Sequence, residues 1–272
     1  MYRLGATVAT MTVVAVAGFP GLAATASTPP SAPPAIRGLA HRAGGHGTAG
    51  TMVGRAGGAR AVVTTSNWAG YVATGTAFTD VVGSWTEPAV TCTGKAQQAA
   101  FWVGFDGWLA LSPLEQVGSD SDCTKKGASY YAWWQMYPAT YHTFPHKLCP
   151  VAPGDTLTAS VTKSGNDFTL RITDTTRGVT CPIPTQTSSA PATSAEWVVE
   201  DPSSNLTGSL LKLADFGTVN FSGASADDTS LSSLTSDGIT MQTRRGGAVI
   251  LKAETTPIFA DGASFGVTWQ HS

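Results

Sequence analysis

The sequence predicts an all-β fold, an antiparallel β-sandwich of two large sheets, and three observations carry that prediction. From Ser66 onward helical periodicity is scarce, while short stretches of alternating apolar and polar residues recur to the C-terminus. Clusters of Gly, Pro, Asn, Asp and Ser separate these stretches. No helices are interspersed and no internal repeat suggests a propeller or β-helix, so the strands must bury their apolar faces against one another in two packed sheets.

The elements follow in order. "SNWAGYVA" and "DVVGSWTEP" open the folded part, and "AAFWVGFDG" and "YYAWWQMYP" supply two aromatic-rich strands. "DTLTASV" and "FTLRITD" set Leu157, Ala159 and Val161 against Phe168, Leu170 and Ile172 around the turn "KSGND", a hairpin with one apolar face. "AEWVVED", "DFGTVNFSG", "AVILKAE" and "SFGVTWQ" complete the set. At 272 residues and 42% hydrophobic content the chain can build a sizeable core.

Ahead of the strands the text is different. Arg3, the apolar "MTVVAVAGF" and the small-x-small Ala24-Thr25-Ala26 read as a secretory signal over residues 1–26, too short and too broken by Gly and Pro to span a membrane. Residues 27–64 form a Pro-, Gly- and Ala-rich linker or pro-segment that cannot bury enough apolar surface to fold alone. It carries Arg37, Arg42, Arg55 and Arg60 and no acidic residue, whereas the body from Asp80 has 11 Lys and Arg against 18 Asp and Glu, a formal charge of −7. A basic leader thus faces an acidic body, which suits a pro-segment lying on that body and leaving once its carboxylates protonate. The folded domain is expected over residues 65–272. Export favours two disulfides among Cys92, Cys123, Cys149 and Cys181, since no CxxC pair is present. Three connectivities are open, and nearest-neighbour pairing, Cys92 with Cys123 and Cys149 with Cys181, is the expected one.

Alternation also assigns faces. In "AEWVVEDP", Glu196, Val198 and Glu200 share one face and Trp197 and Val199 the other. A solvated surface is the ordinary explanation for two such glutamates. The same rule groups Trp102, Gly104 and Asp106, then Leu114, Gln116 and Gly118, then Tyr131, Trp133, Gln135 and Tyr137. If these strands are neighbours, an aromatic-walled surface displays Asp106, Gln116, Gln135 and one or both glutamates.

"SNWAGYV", "FWVGFDGW" followed by "LEQVGSD", "YYAWWQMYP" and "AEWVVEDP" stand in the order and near the spacing of the eqolisin family of glutamic peptidases, which this chain resembles from Ser66 to about Phe221. The resemblance implies a concanavalin-like sandwich, secretion as a precursor with a pro-segment, and cleavage of proteins in acid. It makes Gln116 and Glu200 the catalytic pair and places Trp68, Trp102, Asp106, Trp133, Gln135 and Tyr137 about the substrate. The chemistry is consistent with this. A carboxylate remains a usable base in mild acid, where histidine is fully protonated, and a carboxamide donates to a developing oxyanion at any pH. Gln135 departs from the pattern, because the family usually carries a carboxylate there. The expected protein is a secreted monomeric endopeptidase acting on proteins or peptides, with no metal, cofactor or nucleic-acid partner and no membrane association after signal removal.

Two motifs are decoys. Gly262-Ala263-Ser264-Phe265-Gly266 matches G-x-S-x-G but has no room after it for the Asp and His of a triad. His142 and His146 are separated by Pro145, which spoils a helical metal-binding face. The competing reading is a glycoside hydrolase or lectin-like sugar-binding sandwich, with Asp106 and Glu200 as paired carboxylates and no required role for Gln116.

Overall fold

The structure is a computed structural model that describes residues 39–40, 62–108, 112–204 and 209–272. Its principal strands are β1 (Val62–Thr65), β2 (Trp68–Thr74), β3 (Asp80–Thr86), β4 (Gln97–Asp106), β5 (Leu114–Thr124), β6 (Gly127–Tyr137) and β7 (Thr156–Ser164). There follow β8 (Asp167–Asp174), β9 (Ser194–Glu200), β10 (Thr218–Ala226), β11 (Ser236–Arg245), β12 (Ala248–Thr255) and β13 (Phe265–Trp269).

Hydrogen bonding arranges these as two antiparallel sheets. The first runs β6-β5-β4-β9-β2-β11, and the second runs β8-β7-β3-β10-β13. β12 pairs with both β11 and β13 and joins the sheets along one side. The predicted hairpin is β7-β8, with Leu170 opposite Val161 and Ile172 opposite Ala159. Two strands escape the alternation rule. β11, "SDGITMQTRR", has only Ile239 and Met241 as large apolar residues, and β1 overlaps the last three residues of the expected linker and runs parallel to β11.

Alternation sorts the side chains of the first sheet between two apolar clusters. Ala69, Tyr71, Phe101, Val103, Phe105, Val117, Trp197 and Val199 point inward and pack against Val81, Trp85, Leu157, Val161, Phe168, Phe221 and Phe265 of the second sheet. Their burial, at about 25 cal/mol per Å² of apolar surface, is the main force holding the sheets together. Trp68, Val72, Ala100, Trp102, Leu114, Trp133, Val198 and Ile239 form a separate cluster on the opposite face of the first sheet.

The two disulfides are Cys92–Cys123 and Cys149–Cys181, with Cα separations of 5.4 and 5.2 Å. The first fastens the loop after β3 to the end of β5. The signal at residues 1–26 and the linker up to residue 61 lie outside the described residues, apart from Leu39–Ala40, whose backbone pairs antiparallel with Ser203–Ser204 just beyond β9.

Candidate active site

The site lies on the outer face of the first sheet, where five strands bring most of the expected residues into three rows, with Asp106 and Tyr137 in a further row on either side of Leu114. One row runs Gln135–Gln116–Gly104–Glu196–Val72 across β6, β5, β4, β9 and β2. The next runs Trp133–Gly118–Trp102–Val198–Gly70, and the third runs Tyr131–Asp120–Ala100–Glu200–Trp68. The neighbourhood expected from alternation is therefore present. The glutamates, however, are not solvated surface: Gln116, Glu196 and Glu200 are each 0% exposed.

Trp102 spans the ground between Gln116 and Glu200. Its indole N–H donates to Glu200 Oε2 at 3.0 Å, while a Cβ at Gly104 would lie 3.2 Å from its Cζ3, so the six-membered ring reaches over the Gln116 row. Gly118 leaves room for it, since a Cβ there would come within 2.6 Å of Trp102 Cβ. Trp68 meets the indole edge to face, with centroids 4.9 Å apart. The other Glu200 oxygen receives a long contact from Asn67 Nδ2 at 3.5 Å.

Gln116 is oriented by a relay of amides. Gln135 Nε2 donates to the Ala139 carbonyl at 2.9 Å, which turns its Oε1 toward β5, and Gln116 Nε2 donates to that oxygen at 3.1 Å. One of the two Nε2 hydrogens of Gln116 is thereby engaged. A carboxylate in place of Gln135 could accept from Gln116, but it could donate to Ala139 only when protonated. Gln135 keeps the relay independent of pH.

Beside Glu200 the structure adds an acidic pair that the sequence reading missed. Tyr131 Oη lies 2.9 Å from Asp120 Oδ2 and 2.7 Å from Asp122 Oδ2. The two carboxylates therefore compete for one hydroxyl hydrogen. Burial pushes both upward, Asp122 to about 7, and their mutual repulsion adds to the rise at Asp120. The signal for them was available, because they continue the Leu114, Gln116, Gly118 alternation. On the far side, Asp201 forms a buried ion pair with Lys252 of β12.

Asp106 does different work from that expected of a residue touching substrate. It is buried in a left-handed backbone conformation with φ of 65°, and its carboxylate accepts from Ala192 N and Thr193 N, each at 2.8 Å, and from Thr193 Oγ1. It thus clamps the segment that leads into β9. Trp68 and Trp133 are buried in the outer cluster, with Tyr137 partly buried at its margin. The decoys resolve simply. Ser264 hydrogen-bonds to Asp261 in a turn before β13, and His142 stacks on Trp134 with centroids 4.2 Å apart.

Fold and site together define a β-sandwich hydrolase whose working face sets a carboxamide and a carboxylate about a tryptophan. The chain belongs to the Peptidase A4 family, whose model matches residues 66–258, and it is a glutamic endopeptidase of the eqolisin type. It is 29% identical over 215 residues to aspergillopepsin-2 of Aspergillus niger, covering 70% of this chain and 74% of that protein. Among solved structures, the fold is that of scytalido-glutamic peptidase bound to a transition-state analogue inhibitor, with a TM-score of 0.62 and 22% identity, covering 75% of this chain and 98% of that one. SCP-B, an eqolisin complexed with the tripeptide Ala-Ile-His, gives a TM-score of 0.58 at 20% identity and the same coverage.

Proposed function

We propose that Glu200 is the general base and Gln116 the oxyanion donor of an exported acid endopeptidase. The observation that carries this assignment is the buried face on which Trp102 holds Glu200 by its indole N–H and Gln135 holds Gln116 by its carboxamide. A peptide group laid over the indole would present its carbonyl oxygen toward Gln116 and an attacking water toward Glu200. Glu200 takes a proton from that water as it adds to the carbonyl carbon. The oxyanion is stabilised by the second Nε2 hydrogen of Gln116, and protonated Glu200 then delivers its proton to the leaving amine as the C–N bond breaks. Trp68, Trp133 and Tyr137 would supply apolar wall to the bound peptide.

The precursor reading extends this proposal. Residues 1–26 act as an export signal, and residues 27–64 as a basic pro-segment on the acidic body, which the pairing of Leu39–Ala40 with Ser203–Ser204 beside the end of β9 supports. The mature chain works as a monomer on protein or peptide substrates. A sugar-cleaving sandwich has less support: Asp106, its second carboxylate, is occupied by the 192–193 backbone.

The experiment is digestion of an unstructured protein from about pH 2 to 7, the range over which carboxylates titrate, by wild type and Glu200→Gln. Cleavage confined to acid and lost in the variant is the expected result. Cleavage that survives in a folded Glu200→Gln would remove Glu200 from the mechanism.

A further inference from the structure

Glu196 stands on the working face, in the same row as Gln116, with only Gly104 between them. Adjacent strands lie about 4.8 Å apart, so the two backbones are separated by roughly 10 Å. Gly104 puts no side chain of its own between them, and the Trp102 ring edge, 3.2 Å from a Cβ placed there, stands over it, so a Glu and a Gln on either side can bridge the gap around that edge, directly or through one water. Gly104 has to stay bare, since a Cβ there would sit 2.7 Å from the Glu115 carbonyl oxygen and 3.1 Å from Gln116 Cβ.

The hydrogen-bond inventory of this row is unbalanced. Among the described residues, neither carboxyl oxygen of Glu196 has a partner of ordinary geometry, and the same holds for Gln116 Oε1. The Ala139–Gln135 relay fixes which end of the Gln116 amide is nitrogen and so leaves its oxygen facing away from β6 in need of a donor. An ionised carboxylate has only acceptors to offer, whereas a carboxylic acid has a hydroxyl.

We propose that Glu196 is a positioning residue of the site: it holds a proton and donates a hydrogen bond, directly or through one water, to the Gln116 carboxamide oxygen. The inference rests on Gln116 being the oxyanion donor. It makes a chain of four groups, Ala139 carbonyl, Gln135, Gln116 and Glu196, in which each orients the next and the free Gln116 N–H is aimed at substrate.

The surroundings of Glu196 favour its protonated form. Full burial is the main cause, pushing its carboxyl well above the ordinary range, and the Asp106 and Glu115 carboxyls push the same way from β4 and β5, while the Ser194 hydroxyl offsets part of the rise. On the β2 side its row continues through apolar Val72 to Asp237 of β11, again a group of the same sign.

The test compares Glu196→Gln and Glu196→Leu with wild type, reading kcat, KM and far-UV circular dichroism at each pH. Gln supplies an N–H donor without a titration. Glu196→Gln should keep kcat within about threefold and shift the alkaline limb of kcat upward by about one pH unit or more, within the range where the fold is intact. Glu196→Leu should lose about 10- to 100-fold in kcat with KM nearly unchanged. A Glu196→Gln enzyme as inactive as Glu200→Gln would show that the ionised Glu196 performs the chemistry, and would overturn the proposal. So would an unmoved alkaline limb, or a Leu variant with wild-type kcat. Should Glu196→Leu fail to fold, the pH profile of Glu196→Gln decides alone. Absence of proteolysis by wild type itself would instead count against the assignment of Gln116 and Glu200.

Discussion

Trp102 couples the two ends of the site. Its ring lies against the Gln116 row and its N–H stabilises charge on Glu200, so a phenylalanine in its place would keep much of the apolar surface and delete the hydrogen bond. A carboxylate that loses a donor is harder to ionise. In Trp102→Phe the acid limb of the kcat profile should therefore move to higher pH, by about one unit for a bond of about 1.4 kcal/mol, with KM changed less than kcat. An acid limb that stays in place would mean that the Trp102 contact does not bear on the base. Gln135 shows the opposite case, in which a residue that departs from the family pattern can still orient Gln116 without adding a charge.

At the level of strands, period-two alternation told which residues share a face but not which stand opposite one another. The face holding Gln116, Gln135, Trp102, Glu196 and Glu200 was legible from "LEQVG", "YYAWWQMYP", "FWVGFDG" and "AEWVVED". Their rows were not legible, because register depends on strand partners far apart in sequence, and β4 pairs with β9 across about ninety residues. Register places Glu196 rather than Glu200 in line with Gln116, which no local pattern could have indicated. The partners of Asp106 were hidden for a similar reason, since Ala192 and Thr193 belong to the far end of that pairing. β11 was overlooked because strand content there comes from its neighbours β2 and β12 rather than from its own apolar alternation.

The molecule as a whole stores protons. Glu87, beyond the end of β3, is buried between the sheets against Ser119, Ser121 and the Trp85 indole, and burial lifts it to about 7 despite those hydrogen bonds. Glu115 faces the interior side of β5 near Ser188 and is lifted to about 8, again chiefly by burial and then by Asp106. Asp120, Asp122 and Glu196 are raised as well. Each of these groups binds its proton more tightly in the folded chain than in the unfolded one. Their contribution to stability is therefore fully present below the unfolded pKa of about 4 and is lost as pH rises through the folded values near 7 and 8. The fold should be most stable in acid and weaken toward neutral pH, on the order of 3 kcal/mol for Glu87 alone. Glu87→Gln should match wild type in Tm near pH 4 and exceed it near pH 8. A Tm difference that is the same at both pH values would contradict this. The proposed chemistry and the stability thus share a pH window, both favouring acid through buried carboxyl groups.

The central claim is that a carboxamide and a carboxylate on one sheet face hydrolyse peptide bonds, and Gln116→Ala tests it most directly. Its kcat on an unstructured protein at the acid optimum should fall about 100- to 1,000-fold, as when an oxyanion donor is lost, while circular dichroism remains that of the folded wild type. A folded Gln116→Ala with undiminished proteolysis would contradict the account, because no other role given to this buried amide would survive that result.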